Sequence, residues 1–332
     1  MNEISAIAGI AIPTPQMIAA VRRELAPFVA TTPVFARTGL AAGPAGATLE
    51  FKFELLQHAG TFKARGAFAN LLALDPEQRQ RGVTAISAGN HAIAVAYAAQ
   101  KLAVPAKVVM LASANPARLA LARGFGAEVL LAQDGASGFA MVADIQANEG
   151  KFFVHPFNGL RTILGTATLG AEWAEQSAGL DALVLPVGGG GLAAGVATAF
   201  KLAMPGLAIY GVEPAEANGM ARSFSSGGPV KMAAMASIAD SLCAPHTEAY
   251  SYGLCRRAID DLVTINDDEL RAAMRVLFAE LKLAVEPACA AATAAVCGPL
   301  RGRLAGKRVG VLLCGSNTDL ASFTRHMGRA IG

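Results

Sequence analysis

Short apolar runs alternate with segments whose apolar residues recur at helical spacing, and this alternation covers most of the chain after residue 80. The runs are too short to be helices and are typical of buried strands. Strands that alternate with helices usually build a parallel sheet covered by helices on both faces, so the pattern predicts an α/β fold. The predicted strands are 48–55, 83–86, 106–110, 128–131, 152–154, 182–187, 207–212 and 308–314. The predicted helices are 13–30, 63–74, 90–102, 115–124, 136–149, 161–178, 191–203, 251–260, 267–283 and 287–304.

The alternation stops and restarts near Phe157, which divides it into two groups of strands. We therefore expect two α/β domains, each a parallel sheet between layers of helices. Residues 80–157 would form the smaller domain. Residues 1–79 and 158–332 would together form the larger domain, into which the smaller one is inserted.

The composition excludes several classes of protein. Hydrophobic residues make up 53% of the 332 residues and charged residues 16%, which is typical of a globular chain with a large core. The net charge is +3 and no basic cluster is interleaved with aromatics, so we expect no nucleic-acid partner. The uncharged run 182–200 contains Pro186 and four glycines, which argues against a membrane span. The N-terminal apolar stretch has no Lys or Arg before it, unlike a signal peptide. The five cysteines form no CxxC pair, which favours a reduced, cytoplasmic protein.

Lys63 lies between apolar residues in the stretch 60–67, at the predicted start of a helix. A lysine in dry surroundings can lose its proton and attack a carbonyl group to form a Schiff base. A solvated lysine at a helix start would fit this stretch equally well. Other segments must decide between the two interpretations.

Two predicted helices begin at turns suited to anions. The turn 87–91, Ser-Ala-Gly-Asn-His, follows a strand, and the free N–H groups of the helix start favour an anion the size of a carboxylate. Ser87 and Asn90 could instead be ordinary helix caps. Gly188, Gly189, Gly190 and Gly191 also follow a strand, and four glycines let several N–H groups converge on a phosphate. A flexible turn is the alternative.

The glycine run also fits the dinucleotide-binding pattern GxGxxA, with Glu213 about 20 residues further on. That interpretation assigns no role to Lys63 or to the turn 87–91. An ATP-binding P-loop is excluded because no GK[ST] follows the glycines. Cys314 ends an apolar run and, on its own, would pass for a core cysteine.

Together these segments resemble the fold type II pyridoxal-phosphate enzymes, with the tryptophan synthase β-like fold. Within them the chain is similar to the serine/threonine dehydratase and serine racemase branch. The resemblance covers nearly the whole chain. The motifs that carry it are Thr32-Pro33, Thr61-Phe62-Lys63-Ala64-Arg65-Gly66-Ala67, Ser87-Ala88-Gly89-Asn90-His91, His155-Pro156-Phe157, Gly188–Gly191, Ile238-Ala239-Asp240, Glu286-Pro287 and Cys314-Gly315-Ser316-Asn317.

The resemblance implies pyridoxal 5'-phosphate as cofactor and a role for each segment. Lys63 would hold the cofactor as a Schiff base and later take the α-proton, while Phe62 would flank the ring. Asn90 would bind the ring's 3′-oxygen, Gly188–Gly191 would bind the phosphate, and Cys314 would face the pyridine nitrogen. A thiol is a weak proton source, so the ring would stay neutral and prompt loss of a β-leaving group would be favoured.

The turn 87–91 would hold the substrate carboxylate through Ser87 with the backbone of Ala88, Asn90 and His91. The implied reaction is loss of the β-hydroxyl of serine, threonine or a related β-hydroxy-amino acid, with the cofactor phosphate as the acid, giving a 2-oxo acid and ammonia. The racemase branch carries a second serine after Ser87, and Ala88 stands there in this chain. Ala88 therefore argues against racemisation. Racemisation and β-replacement are the alternative reactions on this scaffold, and a protein that binds the cofactor or an amino acid without turnover is a third hypothesis. A homodimer is common in the family.

Several positions depart from the family pattern. A divalent-cation site of some relatives could match Glu213 and the carbonyl of Ala217, but Gly219 replaces the expected Asp, so we expect no metal. Substitutions also lie close to the expected pocket, so the substrate could differ from plain serine or threonine. They are Ile93-Ala94, Ser241 and Cys289.

Overall fold

The computed structural model describes residues 5–328, and its strands form two large sheets and one small hairpin. The strands are β1 Ala6–Ile7, β2 Ile10–Ala11, β3 Val34–Thr38, β4 Thr48–Lys52, β5 Val83–Ser87, β6 Ala106–Leu111, β7 Glu128–Ala132, β8 Phe152–Phe153, β9 Ala182–Pro186, β10 Ala208–Pro214, β11 Asp261–Ile265 and β12 Arg308–Leu312. The helices are α1 Pro15–Leu25, α2 Lys63–Leu72, α3 Pro76–Arg81, α4 Asn90–Leu102, α5 Pro116–Gly124, α6 Gly135–Glu149, α7 Leu160–Gln176, α8 Gly191–Ala203, α9 Gly219–Ser226, α10 Ala249–Ala258, α11 Asp267–Leu281, α12 Pro287–Cys297 and α13 Leu320–Gly328.

The larger sheet has six strands in the order β11-β10-β9-β12-β4-β3. All neighbours are parallel except the edge strand β3, which runs antiparallel to β4. The central strand β9 is buried along its whole length, because helices cover both faces of the sheet. Both faces being covered explains why this strand reads as an unbroken apolar run.

The smaller sheet has four parallel strands in the order β7-β6-β5-β8. Its strands all fall between residues 83 and 153, inside the predicted small domain. Its hydrophobic core also takes residues from outside that range, including Ile18 of α1, Phe68 of α2 and Leu164 of α7. These contacts tie the two sheets together, and the division at residues 80 and 157 stays a prediction.

A buried group of charges fixes the start of α2. Arg65, in the first turn of this helix, donates hydrogen bonds to Glu54 at 2.7 Å and to Glu172 at 2.9 Å. Lys52 pairs with the same Glu172 at 2.5 Å. Two buried cations therefore face two buried carboxylates, which is the condition under which such charges persist in a core. The arrangement holds the backbone next to Lys63 against the larger sheet.

The predicted α/β class is confirmed, and the structure corrects several boundaries. Helix α1 ends at Leu25 rather than residue 30, and α12 ends at Cys297 rather than residue 304. The predicted strand 48–55 ends at Lys52 and continues as a 3-10 turn. Strand β11 was not predicted. No helix in the range 5–328 is both long and apolar enough to cross a bilayer.

Candidate active site

A cavity of about 960 Å³ opens between the two sheets. The loops that follow β5, β9 and β12 contribute to its wall, as expected where parallel strands present their carboxyl ends. Every site residue predicted from the sequence lies on this wall. They are Phe62, Lys63, Ser87, Ala88, Asn90, His91, Gly188, Gly189, Gly190, Gly191 and Cys314. The structure thus brings these residues together, while the role of each stays a prediction.

Lys63 is the first residue of α2, and its side chain points into the cavity rather than into bulk solvent. Its Nζ donates a hydrogen bond to the carbonyl oxygen of Pro156 and lies 5.1 Å from the ring centre of Phe62. Burial lowers the pKa of this amine to about 8. A large fraction of the side chain is therefore neutral near pH 8, which is the form that can act as a nucleophile or a base.

The four glycines form the turn between β9 and α8, and large side chains pack directly against them. A Cβ atom at Gly189 would lie 2.4 Å from the ring of Phe157, and Gly190 has a φ of +95°. Neither position tolerates an ordinary side chain without rearrangement.

The polar groups of this glycine turn are arranged for an anion. The carbonyl oxygens of Gly189, Gly190 and Gly191 accept hydrogen bonds from Thr247, Cys255 and Thr166, respectively. Within residues 5–328, by contrast, the N–H groups of Gly188, Gly189 and Gly190 have no acceptor. Free N–H groups at the start of a helix, on a cavity wall, fit a phosphate.

The turn 87–91 links β5 to α4. Ser87 Oγ accepts hydrogen bonds from the N–H groups of Gly89 at 2.9 Å and His91 at 3.2 Å, so this serine stabilises the start of the helix, although the N-cap position is Gly89. Its hydroxyl proton remains available to an anion in the cavity. Ala88 presents a methyl group and carries no transferable proton on its side chain.

Asn90 is held from both ends. Its Oδ1 accepts a hydrogen bond from Asn317 at 2.7 Å, and its Nδ2 donates to Glu286 at 2.7 Å. These contacts fix which end of the amide faces Glu286, and they leave the second N–H of Nδ2 for another acceptor. Ser241 Oγ, at 3.4 Å, is a weak one.

Glu286 and Arg118 form a buried ion pair beside Asn90, and it joins the start of α12 to α5. Arg118, on α5, donates to Glu286 at 2.9 Å, to Asp240 at 2.6 Å and to the carbonyl oxygen of Asn317 at 2.8 Å. Burial raises the pKa of Glu286 to about 7, although Arg118 opposes this shift. Sequence reasoning missed Arg118. It placed Asp240, Glu286 and Asn317 in family motifs but gave them no role. The available signal was an arginine on the apolar side of a short, Ala-rich helix.

Two histidines at the site are kept neutral. Burial, together with the charge on Lys63, lowers the pKa of His91 to about 3 and that of His155 to about 4. His91 Nε2 lies 2.7 Å from the carbonyl oxygen of Val154 and must carry the proton there. His155 Nδ1 accepts hydrogen bonds from two backbone N–H groups, so its proton is on Nε2.

Cys314 is buried beside Cys289. The hydrogen bond between the two thiols and burial raise the pKa of Cys314 well above its ordinary value. This thiol therefore stays protonated and uncharged. Cys289, one of the departures from the family pattern, thus contacts the residue that is predicted to face the ring nitrogen.

Glu213 serves a structural purpose in this chain. Its carboxylate accepts the N–H groups of Met220 and Ala221 at 2.8 Å each, at the start of α9, and lies outside the cavity wall. This carboxylate is thus already engaged, which weakens the dinucleotide interpretation. Burial raises the pKa of Glu213 to about 7. Within residues 5–328 no cluster of His, Cys, Asp and Glu is arranged to hold a metal ion.

Comparison with known proteins gives a consistent result. Residues 25–315 match the family model described as "Pyridoxal-phosphate dependent enzyme". The chain is 62% identical to a phenylserine dehydratase from Ralstonia pickettii, over 96% of this chain and 97% of that protein. It is 36% identical to an L-threo-3-hydroxyaspartate ammonia-lyase from Saccharomyces cerevisiae, over 84% of this chain and 85% of that protein.

Among solved structures, the chain is similar to maize serine racemase, with a TM-score of 0.88 and 32% identity. The match covers 94% of this chain and 96% of the maize chain. The unpartnered N–H groups of the glycine turn, the amine of Lys63 and the neutral thiol of Cys314 fit the phosphate, the aldehyde and the ring nitrogen of pyridoxal phosphate.

Proposed function

Because the chain belongs to the pyridoxal-phosphate dependent enzymes and is an ammonia-lyase for β-hydroxy-amino acids, we propose that its preferred substrates carry an aromatic ring on the β-carbon. A 3-aryl-serine such as phenylserine would lose its β-hydroxyl group as water. The resulting enamine would hydrolyse to an aryl-substituted 2-oxo acid and ammonia. The overall reaction is balanced, because the elimination releases one water molecule and the hydrolysis consumes one.

The observation that carries this proposal is that the cavity wall holds a group of apolar side chains as well as the reactive polar groups. Lys63 contributes an amine whose pKa burial lowers to about 8, and the glycine turn contributes free N–H groups. The apolar side chains on the same wall include Ile86, Leu111, Phe139 and Met232. Burying a phenyl ring there is favourable, whereas the hydrogen or methyl group of serine or threonine would leave that space to water. The phenylserine dehydratase name of the 62% identical relative supports the same class.

The residues that would hold the cofactor are those whose geometry is given above. Lys63 Nζ would bind its aldehyde carbon, and the N–H groups of Gly188–Gly191 would bind its phosphate. Asn90 would donate its remaining Nδ2 proton to the ring's 3′-oxygen, Cys314 would face the ring nitrogen and Phe62 would lie beside the ring. When bound, the cofactor withdraws electrons from the α-carbon of the amino acid.

The chain's own groups would handle the substrate's charges and protons. The N–H groups of Ala88 and Asn90, with the hydroxyl of Ser87, would bind the substrate carboxylate through charge-assisted hydrogen bonds. Lys63, once free, would take the proton from the α-carbon, since a pKa of about 8 suits a base near neutral pH. Ala88 offers no acid on its side of the site, which favours elimination over racemisation.

The test is a panel of amino acids assayed for both a 2-oxo acid and ammonia. It should include phenylserine, threonine, serine and 3-hydroxyaspartate. We expect phenylserine to have the highest kcat/KM. Lys63→Ala should abolish both turnover and the visible absorbance of the bound cofactor. A higher kcat/KM for threonine or hydroxyaspartate than for phenylserine would refute the substrate class, and D-amino acid formed from an L-substrate would favour the racemase alternative.

The predicted domain division at residues 80 and 157, the homodimer and the cytoplasmic location stand as further proposals. The free state of all five cysteines supports the location. Sedimentation equilibrium measures the oligomeric state directly, and limited proteolysis locates the domain boundaries.

A further inference from the structure

Five aromatic side chains form a closed ring beside the cavity, which we call the aromatic collar. Around the collar, neighbouring ring centres lie 4.7–6.4 Å apart, within the range of favourable aromatic contacts. Its members, in order around the ring, are Phe139, Phe153, His155, Phe157 and His246. Three of them, Phe139, Phe157 and His246, also lie on the cavity wall.

The collar is assembled from distant parts of the chain. Phe139 comes from α6 and Phe153 from β8, both next to the smaller sheet. His246 lies in the segment before α10, which packs with the larger sheet. The collar therefore closes only when the two sheets come together, so no single stretch of sequence predicts it.

The two histidines of the collar are held in place by polar contacts. His155 is neutral and fixed by the N–H groups of Phe157 and Asn158. His246 Nε2 lies 3.0 Å from Glu248 Oε1, so the imidazole is oriented by a carboxylate. A preorganised wall of this kind loses little conformational freedom when a ligand packs against it.

The collar also lies next to the reactive groups. Phe157 packs on Gly189 of the glycine turn, and the preceding residue, Pro156, accepts the hydrogen bond from Lys63 Nζ. A substituent on the β-carbon of a substrate whose α-carbon is within reach of Lys63 can therefore extend toward the collar.

The acidic residues on the cavity wall already have partners. Asp134 caps α6 and Glu248 contacts His246, while Asp240 and Glu286 pair with Arg118. Lys231 is exposed. The collar itself contains no Lys or Arg, and it presents three aromatic side chains to the cavity.

Resting on the proposed function, we propose that the aromatic collar is the subsite for the substrate's β-aryl ring, with Phe139 as its specificity-determining residue. Phe139 is the collar member that faces the cavity from the smaller sheet, and it is partly buried against the small core cluster that includes Ile86 and Val142. The ring of the substrate would pack against Phe139 and Phe157, with His246 at its edge.

The experiment compares kcat/KM for phenylserine with kcat/KM for threonine in the holoenzyme and in Phe139→Ala and Phe139→Leu. The ratio of these values is independent of the active fraction of each preparation. We expect it to fall roughly tenfold or more in Phe139→Ala, and less in Phe139→Leu, which keeps apolar bulk but no ring. Phe125→Ala is the matched control, because Phe125 also contacts another aromatic ring but lies away from the cavity.

A second measurement does not depend on turnover. Phenylalanine lacks the β-hydroxyl group and should inhibit competitively, and Phe139→Ala should weaken that inhibition about tenfold while leaving inhibition by alanine unchanged. An unchanged ratio and unchanged inhibition in Phe139→Ala, with a wild-type enzyme that prefers phenylserine, would overturn the assignment of the collar and leave the proposed function standing. A wild-type enzyme that prefers threonine would overturn both.

Discussion

The buried pair of Arg118 and Glu286 offers a direct test of how the site is held together. Replacing Arg118 by Met keeps an unbranched apolar chain but removes the cation that faces Glu286. Replacing Glu286 by Gln at the same time removes the opposing charge and keeps an acceptor for Asn90. The two single variants and the double variant form a double-mutant cycle for this pair.

The structure allows the size of the effect to be worked out. Removing one partner of a buried ion pair typically costs roughly 3–5 kcal/mol, because the remaining charge is left unpaired. The contact of Arg118 with Asp240 adds at most about 1 kcal/mol, since the Asp240 side chain is 45% exposed. Glu286 can escape the cost by taking up a proton, because burial already raises its pKa from 4.5 to about 7. We therefore expect Arg118→Met to cost several kcal/mol of unfolding free energy at pH 8 and much less at pH 5.

The sign of the pH dependence in the wild type follows from the same shift. Between pH 4.5 and pH 7 the folded protein holds a proton on Glu286 that the unfolded chain has released. The unfolding free energy contributed by this group therefore falls as the pH rises through that window, by about 3 kcal/mol in all. Glu286→Gln should remove this slope, and Arg118→Met should extend it to higher pH.

The assay is urea unfolding followed by circular dichroism and by the fluorescence of the single tryptophan, Trp173, which is fully buried. At pH 8 the cycle should give a coupling energy of about 2 kcal/mol or more between Arg118 and Glu286, and close to zero at pH 5. A cost of Arg118→Met that is the same at both pH values, or a double variant as unstable as Arg118→Met alone, would refute the reasoning.

Three further predictions concern the cavity. In the apoprotein, labelling of Lys63 by an amine-specific reagent should follow a titration with a midpoint near pH 8, since only the neutral amine reacts, and a midpoint near 10.5 would show a solvated side chain. Gly189→Ala should weaken cofactor binding about tenfold or more in fluorescence titrations, because its Cβ meets Phe157 at 2.4 Å, whereas Gly206→Ala, with no atom within 4 Å, should not. Cys314→Ser should retain kcat within about tenfold, because both groups are neutral donors, whereas Cys314→Asp should lose far more by burying a charge.

Sequence periodicity located most of the helices and strands, and its errors have physical causes. Strand β11 was missed because it is an edge strand, with residues that are not fully buried at four of its five positions, so it lacks the apolar run of a buried strand. Helix α1 was predicted too long because the apolar spacing continues after Leu25, but Pro27 cannot extend a helix. Leu300 and Leu304 are buried without being helical, which explains the overextension of α12.

The site shows a similar division between local and distant information. Lys63, the turn 87–91 and the glycine turn were predictable because each motif places its own backbone relative to its own helix. The partners of Asn90 were not predictable, because they come from distant parts of the chain. Glu286 lies 196 residues after Asn90, and it pairs with Arg118, which lies 168 residues before Glu286. Such contacts depend on how the two sheets pack, as does the aromatic collar, and periodicity within one segment carries no information about that packing.

The exclusion of water from one cavity accounts for both the chemistry and the substrate preference proposed here. Burial lowers the pKa of Lys63 to about 8 and that of His91 to about 3, while it raises that of Glu286 to about 7. The same low polarity obliges Glu286 to have a cation beside it when ionised, which is why Arg118 reaches across from the smaller sheet. The aromatic collar contributes to this environment. An aryl ring that packs against it would displace more water from the neighbourhood of Lys63 than a smaller substituent would. A small substrate such as serine would leave that water in place, so the selectivity of the enzyme should show in kcat as well as in KM.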